Sequence, residues 1–216
     1  MGSTSEFVAP LMLTFNFVIL QMNKSRLEAF SDGVFAIIIT IMVLEIKMPH
    51  GYTWDALAET GPAFFSYLIS FIFVGIYWGN HHHLVHTLKT VSSGVLWANL
   101  NLLFWLSLVP LATNWMGDNF FAPNTVAVYA MVLLCCGTSY FILHQLILKR
   151  TSANHALTEA LRKQSGKAYF STACYALAIP LAYVHPAIAC FLFLLVSFRW
   201  IIPDRNIEAA LNEREN

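Results

Sequence analysis

Long apolar runs separated by short polar segments dominate the chain. A helix needs about 20 residues to cross the hydrocarbon core of a bilayer, and six runs approach or exceed that length. They cover residues 27–48, 57–78, 91–115, 126–148, 168–184 and 186–202. Residues that favour turns, such as Gly51, Pro123 and Pro186, lie at their borders. The pattern predicts an all-α polytopic membrane protein with six transmembrane helices within residues 22–203.

The two ends of the chain do not follow this pattern. Residues 1–21 form an N-terminal extension that opens with MGSTSEF, which resembles a cloning-derived sequence, and continues with a short apolar stretch. That stretch has neither the basic segment nor the small-residue cleavage site of a signal peptide. We therefore expect the functional part to begin near Met22, and we expect residues 204–216 to form a polar cytoplasmic tail.

The basic residues test the six-helix topology independently. With six crossings, both termini and the second and fourth loops lie on one side of the membrane. That side holds Lys24, Arg26, Lys89, Lys149, Arg150, Arg162, Lys163, Lys167, Arg199, Arg205 and Arg214, and the other side holds Lys47. Cytoplasmic loops carry an excess of Lys and Arg. Both termini are therefore predicted to lie in the cytoplasm.

Composition excludes several classes of protein. Hydrophobic residues make up 57% of the 216 residues and charged residues 11%, whereas a typical soluble domain has about 25% charged residues. The mean hydropathy is +0.60, and the net charge of zero offers no basic excess for nucleic acid. The sequence contains no G-x-S-x-G, Walker A, HExxH or CxxC motif. We therefore predict that the protein is not an enzyme and has no cofactor or metal centre.

The first apolar run holds the most informative residues. Ser31 and Asp32 lie within it, and an ionisable residue inside a membrane helix marks a functional site unless it is hydrated near the interface. At about 100° per residue, one helical face of this run is aliphatic except for one threonine. Its members are Gly33, Ile37, Thr40, Ile41, Leu44 and Met48. Periodicity leaves open whether this face meets lipid, other helices or a pore, and it places Asp32 about 140° from Ile37.

The same run carries a motif with a known relative. Arg26-x-x-x-Phe30-Ser31-Asp32, followed by an Ile-rich helix, resembles the signature of the lysosomal potassium-channel family. It is most similar to the short prokaryotic members, which have one six-helix unit per chain. The segment Trp97-Ala98-Asn99-Leu100 resembles part of that family's third helix, and the resemblance extends over residues 23–203. It implies an integral protein of the bacterial cell membrane.

The resemblance also implies a mechanism. Family members of this kind form homotetramers, in which four copies of the first helix surround a central pore. The constriction would then be formed by Ile37, Ile41 and Leu44, and Thr40 would contribute to selectivity. A polar network between helices would include Arg26, Phe30, Ser31, Asp32, Trp97 and Asn99. The permeating ions would be monovalent cations, with a modest preference for K⁺ over Na⁺ because the chain has no TVGYG filter.

Two further features have more than one interpretation. Glu45, at the outer end of the first helix, is a candidate for an acidic pore mouth, or it is a solvated carboxylate that Lys47 is close enough to neutralise. The histidines at positions 81–83 and 86 fit an interfacial or hydrogen-bonding role, metal ligation or proton sensing.

A potassium-selective channel is the leading hypothesis for function. The main alternative is an ion-coupled carrier in which Asp32 and Arg26 bind the coupled ion. Carriers commonly contain inverted repeats and interrupted helices, which are not evident in this sequence. A membrane haem protein and a non-conducting structural protein are further alternatives.

Overall fold

The fold is that of a computed structural model, which describes residues 23–151 and 155–201. All regular secondary structure within these two ranges is helical, and this confirms the predicted all-α class. The predicted extension at residues 1–21 and the predicted tail at residues 204–216 lie outside the described residues.

The described part of the chain forms a succession of eight helices. They are α1 (Lys24–Leu44), α2 (Trp54–Glu59), α3 (Gly61–His86), α4 (Ser93–Ser107), α5 (Val109–Asp118), α6 (Pro123–Arg150), α7 (His155–Val184) and α8 (Pro186–Ile201). Each of the predicted apolar runs falls on one or two of these helices.

Local sequence explains where several helices begin. The side chain of Asn23 accepts a hydrogen bond from the backbone N–H of Ser25 at 3.3 Å, which caps the start of α1. Proline occupies the first turn of α3, α5 and α6, where its missing N–H removes no helical hydrogen bond. The third apolar run is therefore two helices that meet at Leu108, with Pro110 in the first turn of the second.

Four stretches are long and apolar enough to cross a membrane. They are Lys24–Leu44, Gly61–His86, Ser93–Asp118 and Pro123–Arg150. The third stretch consists of α4 and α5 together. Helix α8 is apolar but only 16 residues long, and α7 begins with a polar segment and contains Pro180. The protein is thus an integral membrane protein, and membrane crossing by α7 and α8 stays a prediction.

The core of the fold is centred on α6, which packs against α4, α7 and α8. Tyr129 of α6 and Tyr175 of α7 are fully buried, and their rings lie 5.2 and 6.4 Å from that of Phe193 in α8. Helix α1 lies at the edge of this core and packs against α3, α4 and α5. One side of α1 is consequently left uncovered by the other helices of the described chain.

Candidate pore helix and its polar contacts

One face of α1 is exposed along most of the helix. This exposed stripe consists of Gly33, Ile37, Thr40, Ile41 and Leu44. Ile37 is 58% exposed and Leu44 is 81% exposed, whereas Phe35 on the opposite face is buried against the core. Met48 was predicted to share this face, but α1 ends at Leu44 and Met48 lies beyond it. The helix therefore presents a largely apolar face that the other described helices do not cover.

Thr40 is the one polar side chain on the exposed stripe. Its hydroxyl donates a hydrogen bond to the carbonyl oxygen of Ile37 at 2.9 Å. Because the hydroxyl proton is used within the helix, the oxygen is left with its lone pairs available as an acceptor. An oxygen of this kind can contact a cation.

A buried hydrogen-bonded chain, called here the middle network, joins α1 to α4 and α3. It consists of Ser31, Asn99 and His81, all of which are buried. The amide nitrogen of Asn99 donates to Oγ of Ser31 at 3.0 Å, and Oδ1 of Asn99 lies 2.7 Å from Nε2 of His81. Since Oδ1 is an acceptor, Nε2 of His81 carries the donated proton. The chain satisfies three polar side chains inside an apolar bundle.

Two aromatic contacts flank the middle network. The ring of Phe35 lies 5.5 Å from the ring of His81, so the imidazole is covered on the side of α1. The indole N–H of Trp78 in α3 donates to Oδ1 of Asp32 at 2.9 Å. Asp32 is half-buried, and its partner is a neutral donor.

The amino-terminal end of α1 is bound to the carboxyl-terminal end of α3. Nζ of Lys24 donates to the carbonyl oxygen of His86 at 2.8 Å and lies 3.2 Å from Nδ1 of its ring. Oε1 of Glu28 lies 3.7 Å from Nζ of Lys24 and 3.8 Å from Nδ1 of His86. A cation near the carboxyl end of α3 also meets the negative end of that helix's dipole.

The carboxyl-terminal end of α1 is bound to α5 instead. Oε2 of Glu45 accepts a hydrogen bond from the amide of Asn114 at 3.2 Å. Lys47 forms an ion pair with Asp118. The neutralising partner considered for Glu45 was Lys47, whereas the structure pairs Lys47 with Asp118 of α5. Polar contacts therefore hold α1 at both ends and near its middle, and those of Ser31 and Asp32 lie on the side away from the exposed stripe.

Comparison with known proteins assigns the chain that contains this helix to a family. The family model described as the endosomal/lysosomal potassium channel TMEM175 matches residues 26–110, which include α1, α3 and α4. A protein from Chryseobacterium sp. (strain P1-3), named a potassium channel, is 50% identical over 192 residues, which are 89% of this chain and the whole of that protein. The chain belongs to the TMEM175 family. The resemblance seen in the motif from Arg26 to Asp32 is thus confirmed.

Other members of the TMEM175 family differ more in sequence. The chicken protein, named an endosomal/lysosomal proton channel, is 31% identical over 66% of this chain, and the match spans 31% of that longer protein. The crystal structure of a lysosomal potassium-selective channel TMEM175 homolog from Chamaesiphon minutus has a similar fold, with a TM-score of 0.74 and 24% identity. It covers 84% of this chain and 97% of that chain. The family consists of channels and is not an enzyme family.

The structure brings together only part of the TMEM175-type network that the sequence predicts. Ser31 and Asn99 are joined directly, and Asp32 is bound one turn of α3 away from His81. Arg26 is exposed, Phe30 is 55% exposed and Trp97 is 70% exposed. No hydrogen bond links these three side chains to the middle network among the described residues. All three lie on the surface of the described part of the chain.

The histidines separate into two groups. His81 faces the core and belongs to the middle network. The ring of His82 stacks on that of His86 with centroids 6.0 Å apart, at the carboxyl-terminal end of α3. Among the described residues, no three His, Cys, Asp or Glu side chains are grouped so as to hold a metal ion. The hydrogen-bonding interpretation therefore applies to His81.

Sequence reasoning missed two residues of this site. Trp78 was assigned to the end of an apolar run, and His81 was treated as one of several equivalent histidines. Both lie on the face of α3 that meets α1. The spacing from Trp78 to His81 is three residues, which places them on one helical face, and this was the available signal.

Proposed function

We propose that the protein is a cation channel in which four copies of α1 surround a central pore and conduct K⁺ in preference to Na⁺. The observation that carries the proposal is the exposed stripe. Apart from Thr40 it is apolar, and it lies on the side of α1 away from Ser31, which is bonded to Asn99 of α4. The membership of the TMEM175 family and the relatives named potassium channels support the same assignment.

The constriction would be formed by rings of Ile37, Ile41 and Leu44. In a four-fold assembly each of these positions becomes a ring of four aliphatic side chains. The distance from Ile37 to Leu44 along the helix is about 10 Å at 1.5 Å per residue. That length is sufficient for a dry barrier, because a narrow apolar pore gates by losing its water. Thr40 adds a ring of hydroxyl oxygens between the apolar rings.

The middle network would act by fixing the rotation of α1. The bonds of Ser31 and Asn99 hold one face of the helix against the bundle, so the exposed stripe is directed away from the subunit. Glu45, at the outer end, would add negative charge near the mouth and raise the local concentration of cations. In this proposal Arg26, Phe30 and Trp97 contact neighbouring subunits, lipid or the inner entrance, and no network role is required of them within one subunit.

The topology belongs to the same proposal. All six predicted runs would cross the membrane, with both termini in the cytoplasm of a bacterial cell. The excess of Lys and Arg on one side supports this orientation. Reporter fusions after Thr53 and after Thr151 test it, because one position would be external and the other internal. Activity of a periplasmic reporter at position 151 would contradict the topology.

Ion flux from proteoliposomes tests the pore assignment. Purified protein should mediate fast K⁺ efflux with a bi-ionic reversal potential that favours K⁺ over Na⁺. Ile37→Asn should raise Na⁺ permeability relative to K⁺ several-fold, because an amide in place of a sec-butyl group lets a more hydrated ion pass. Leu44→Ala should increase the flux by widening the outer ring.

The matched control is Val43→Asn. Val43 is 46% exposed on the same helix, but it lies about 120° from Ile37 around the helix axis, so it should leave selectivity unchanged. An unchanged reversal potential in Ile37→Asn, or an equal change in Val43→Asn, would remove the stripe from the pathway. Slow, saturable flux would favour an ion-coupled carrier using Asp32 and Arg26, and absence of flux would favour a structural protein.

Proton conduction is the second candidate function. The observation that favours it is the similarity to relatives named proton channels, among them the chicken protein. A pH-sensitive dye trapped in the same proteoliposomes distinguishes the two ions. Proton influx that persists when K⁺ is replaced by an impermeant cation would support conduction of H⁺ through the same protein.

A further inference from the structure

Helix α5 is fixed to the body of the subunit on its inner side. The hydroxyl of Thr113 donates to Oγ of Ser70 at 2.7 Å, and Oγ of Ser70 lies 2.8 Å from the hydroxyl of Tyr129. All three residues are buried. This chain of hydroxyl groups connects α5 to α3 and α6, so α5 is held against two of the long helices.

A close backbone contact holds the far end of α5 in the same place. A Cβ atom added to Gly117 would lie 2.8 Å from Cα of Ala63 and 2.4 Å from Oγ of Ser66. Only glycine allows α5 to approach α3 this closely. The packing of the two helices is therefore tight where α5 ends.

The turn that follows α5 is strained. Phe120 has a φ of 50° and Phe121 a φ of 58°, and the left-handed region is unfavourable for a residue with a side chain. Strain of this kind persists only where the surrounding structure determines the conformation. Here the ring of Phe121 lies 5.9 Å from that of Phe65 in α3, and the backbone N–H of Phe121 donates to the carbonyl of Met116 at 3.0 Å. The end of α5 is thus held in one conformation.

A neighbouring face of α5, about 100° around the helix axis, carries the contacts to α1. Asn114 and Asp118 are four residues apart, so they lie on one face of α5. Asn114 binds Glu45 and Asp118 binds Lys47. Leu44 directly precedes Glu45 and is the last residue of α1. The outermost position of the exposed stripe is therefore next to two residues that a rigid element holds.

We propose that Asn114 and Asp118 are positioning residues that set the distance of Leu44 from the pore axis and so the width of the outer constriction. This proposal rests on the proposed pore function of α1. Helix α5 is separated from α4 by the break at Leu108, so it would keep its position relative to α3 and α6. Loss of its contacts would release the last turn of α1 and leave the middle network unaffected.

The size of the effect depends on symmetry. The pair of Lys47 and Asp118 is largely exposed, with side-chain exposures of 75% and 26%, and exposed pairs shift an equilibrium by about 1.5- to 5-fold. If the outer constriction widens in all four subunits together, the fold-changes of the four subunits multiply. A two-fold change in each subunit then becomes about 16-fold in the equilibrium between narrow and wide states.

Charge reversal tests the proposal in the full-length tetramer. Asp118→Lys and Lys47→Asp should each increase K⁺ conductance and lower K⁺/Na⁺ selectivity, and the double variant should restore both towards wild type. Asp55→Lys is the matched control, because it makes the same change of charge on the exposed helix α2. Asn114→Ala should act in the same direction as Asp118→Lys. Equal effects of Asp55→Lys and Asp118→Lys, or failure of the double variant to recover, would overturn the proposal.

A distance measurement separates this proposal from the function of the pore. A spin label at position 43, in a variant whose native cysteines are replaced, reports the separation of the last turns of α1 between subunits. Asp118→Lys should broaden and lengthen these distances, and the double variant should restore them. Unchanged distances in Asp118→Lys would refute the positioning role even if the channel conducts. Restored distances in a protein that conducts no ions would instead refute the pore function alone.

Discussion

Replacement of Asn99 by leucine tests the middle network most directly. Asn99 is fully buried and bonds both Ser31 and His81. Leucine has the same branching and the same number of heavy side-chain atoms, so the substitution removes the hydrogen bonds without leaving a cavity. Ser31 keeps the bond that its hydroxyl donates to the carbonyl of Leu27 at 2.8 Å. His81 loses its partner and is left as a buried donor.

The expected loss of stability follows from the unpaired donor on His81 and the lost hydrogen bond between Asn99 and Ser31. A buried donor without a partner costs about 1–3 kcal/mol, and a lost side-chain bond between membrane helices costs about 0.6 kcal/mol. Asn99→Leu should therefore destabilise the fold by about 2–4 kcal/mol. For a chain of this size that amounts to a decrease of about 4–16 °C in the midpoint of thermal unfolding. Thermal unfolding in detergent, followed by size-exclusion chromatography, measures this decrease.

Asn101→Leu is the control on the same helix. Asn101 is exposed and donates one hydrogen bond to Oγ of Ser139 at 2.7 Å, so its loss should lower the midpoint by under about 4 °C. The double variant of Asn99→Leu with His81→Leu should be more stable than the sum of the single effects predicts, by about 1 kcal/mol or more. Equal decreases for the two asparagines, or additive effects at positions 81 and 99, would refute the network.

Two further predictions concern the packing of α5. Gly117→Ala should destabilise the protein by about 1–3 kcal/mol, because the new methyl group would collide with Ala63. Gly94→Ala is the control and should be neutral, because nothing lies within 4 Å of the added atom. Similar midpoints of thermal unfolding for the two variants would contradict the close contact. Tyr129→Phe should cost about 1 kcal/mol by removing the hydroxyl that meets Ser70, and the denaturant midpoint should fall accordingly. An unchanged midpoint would show that the hydroxyl chain contributes nothing to stability.

The sequence was sufficient to predict most of α1. The first apolar run at residues 27–48 overlaps α1, and helical periodicity selected the stripe from Ile37 to Leu44 that the structure leaves exposed. These features depend on neighbours along one helix, which the sequence displays directly. The end of α1 at Leu44 was not predicted, because hydropathy sets the border of a helix only to within a few residues.

Contacts between helices were the part that could not be predicted. Ser31 and Asn99 were singled out together through the family motif, but the bond from Asn99 to His81 depends on how α3 and α4 are rotated against each other. Periodicity gives the faces of one helix and says nothing about which faces meet. Trp97 shows the same limit, since it is two residues before Asn99 and lies on the exposed side of α4. The break at Leu108 was also missed, because hydropathy is continuous across it.

The hydrogen bond from Ser31 to the carbonyl of Leu27 within α1 has a consequence for membrane insertion during synthesis. During synthesis α1 enters the membrane before α3 and α4 have been made, so Asn99 and Trp78 do not yet exist as partners. The hydroxyl of Ser31 already has an acceptor in its own helix, the carbonyl of Leu27, and it enters the bilayer without an unpaired donor. Among the described contacts Asp32 has no hydrogen-bond partner within α1, and its partner is the indole N–H of Trp78 in α3. We therefore expect α1 to stay close to the insertion machinery until α3 has been synthesised and Trp78 can bind Asp32.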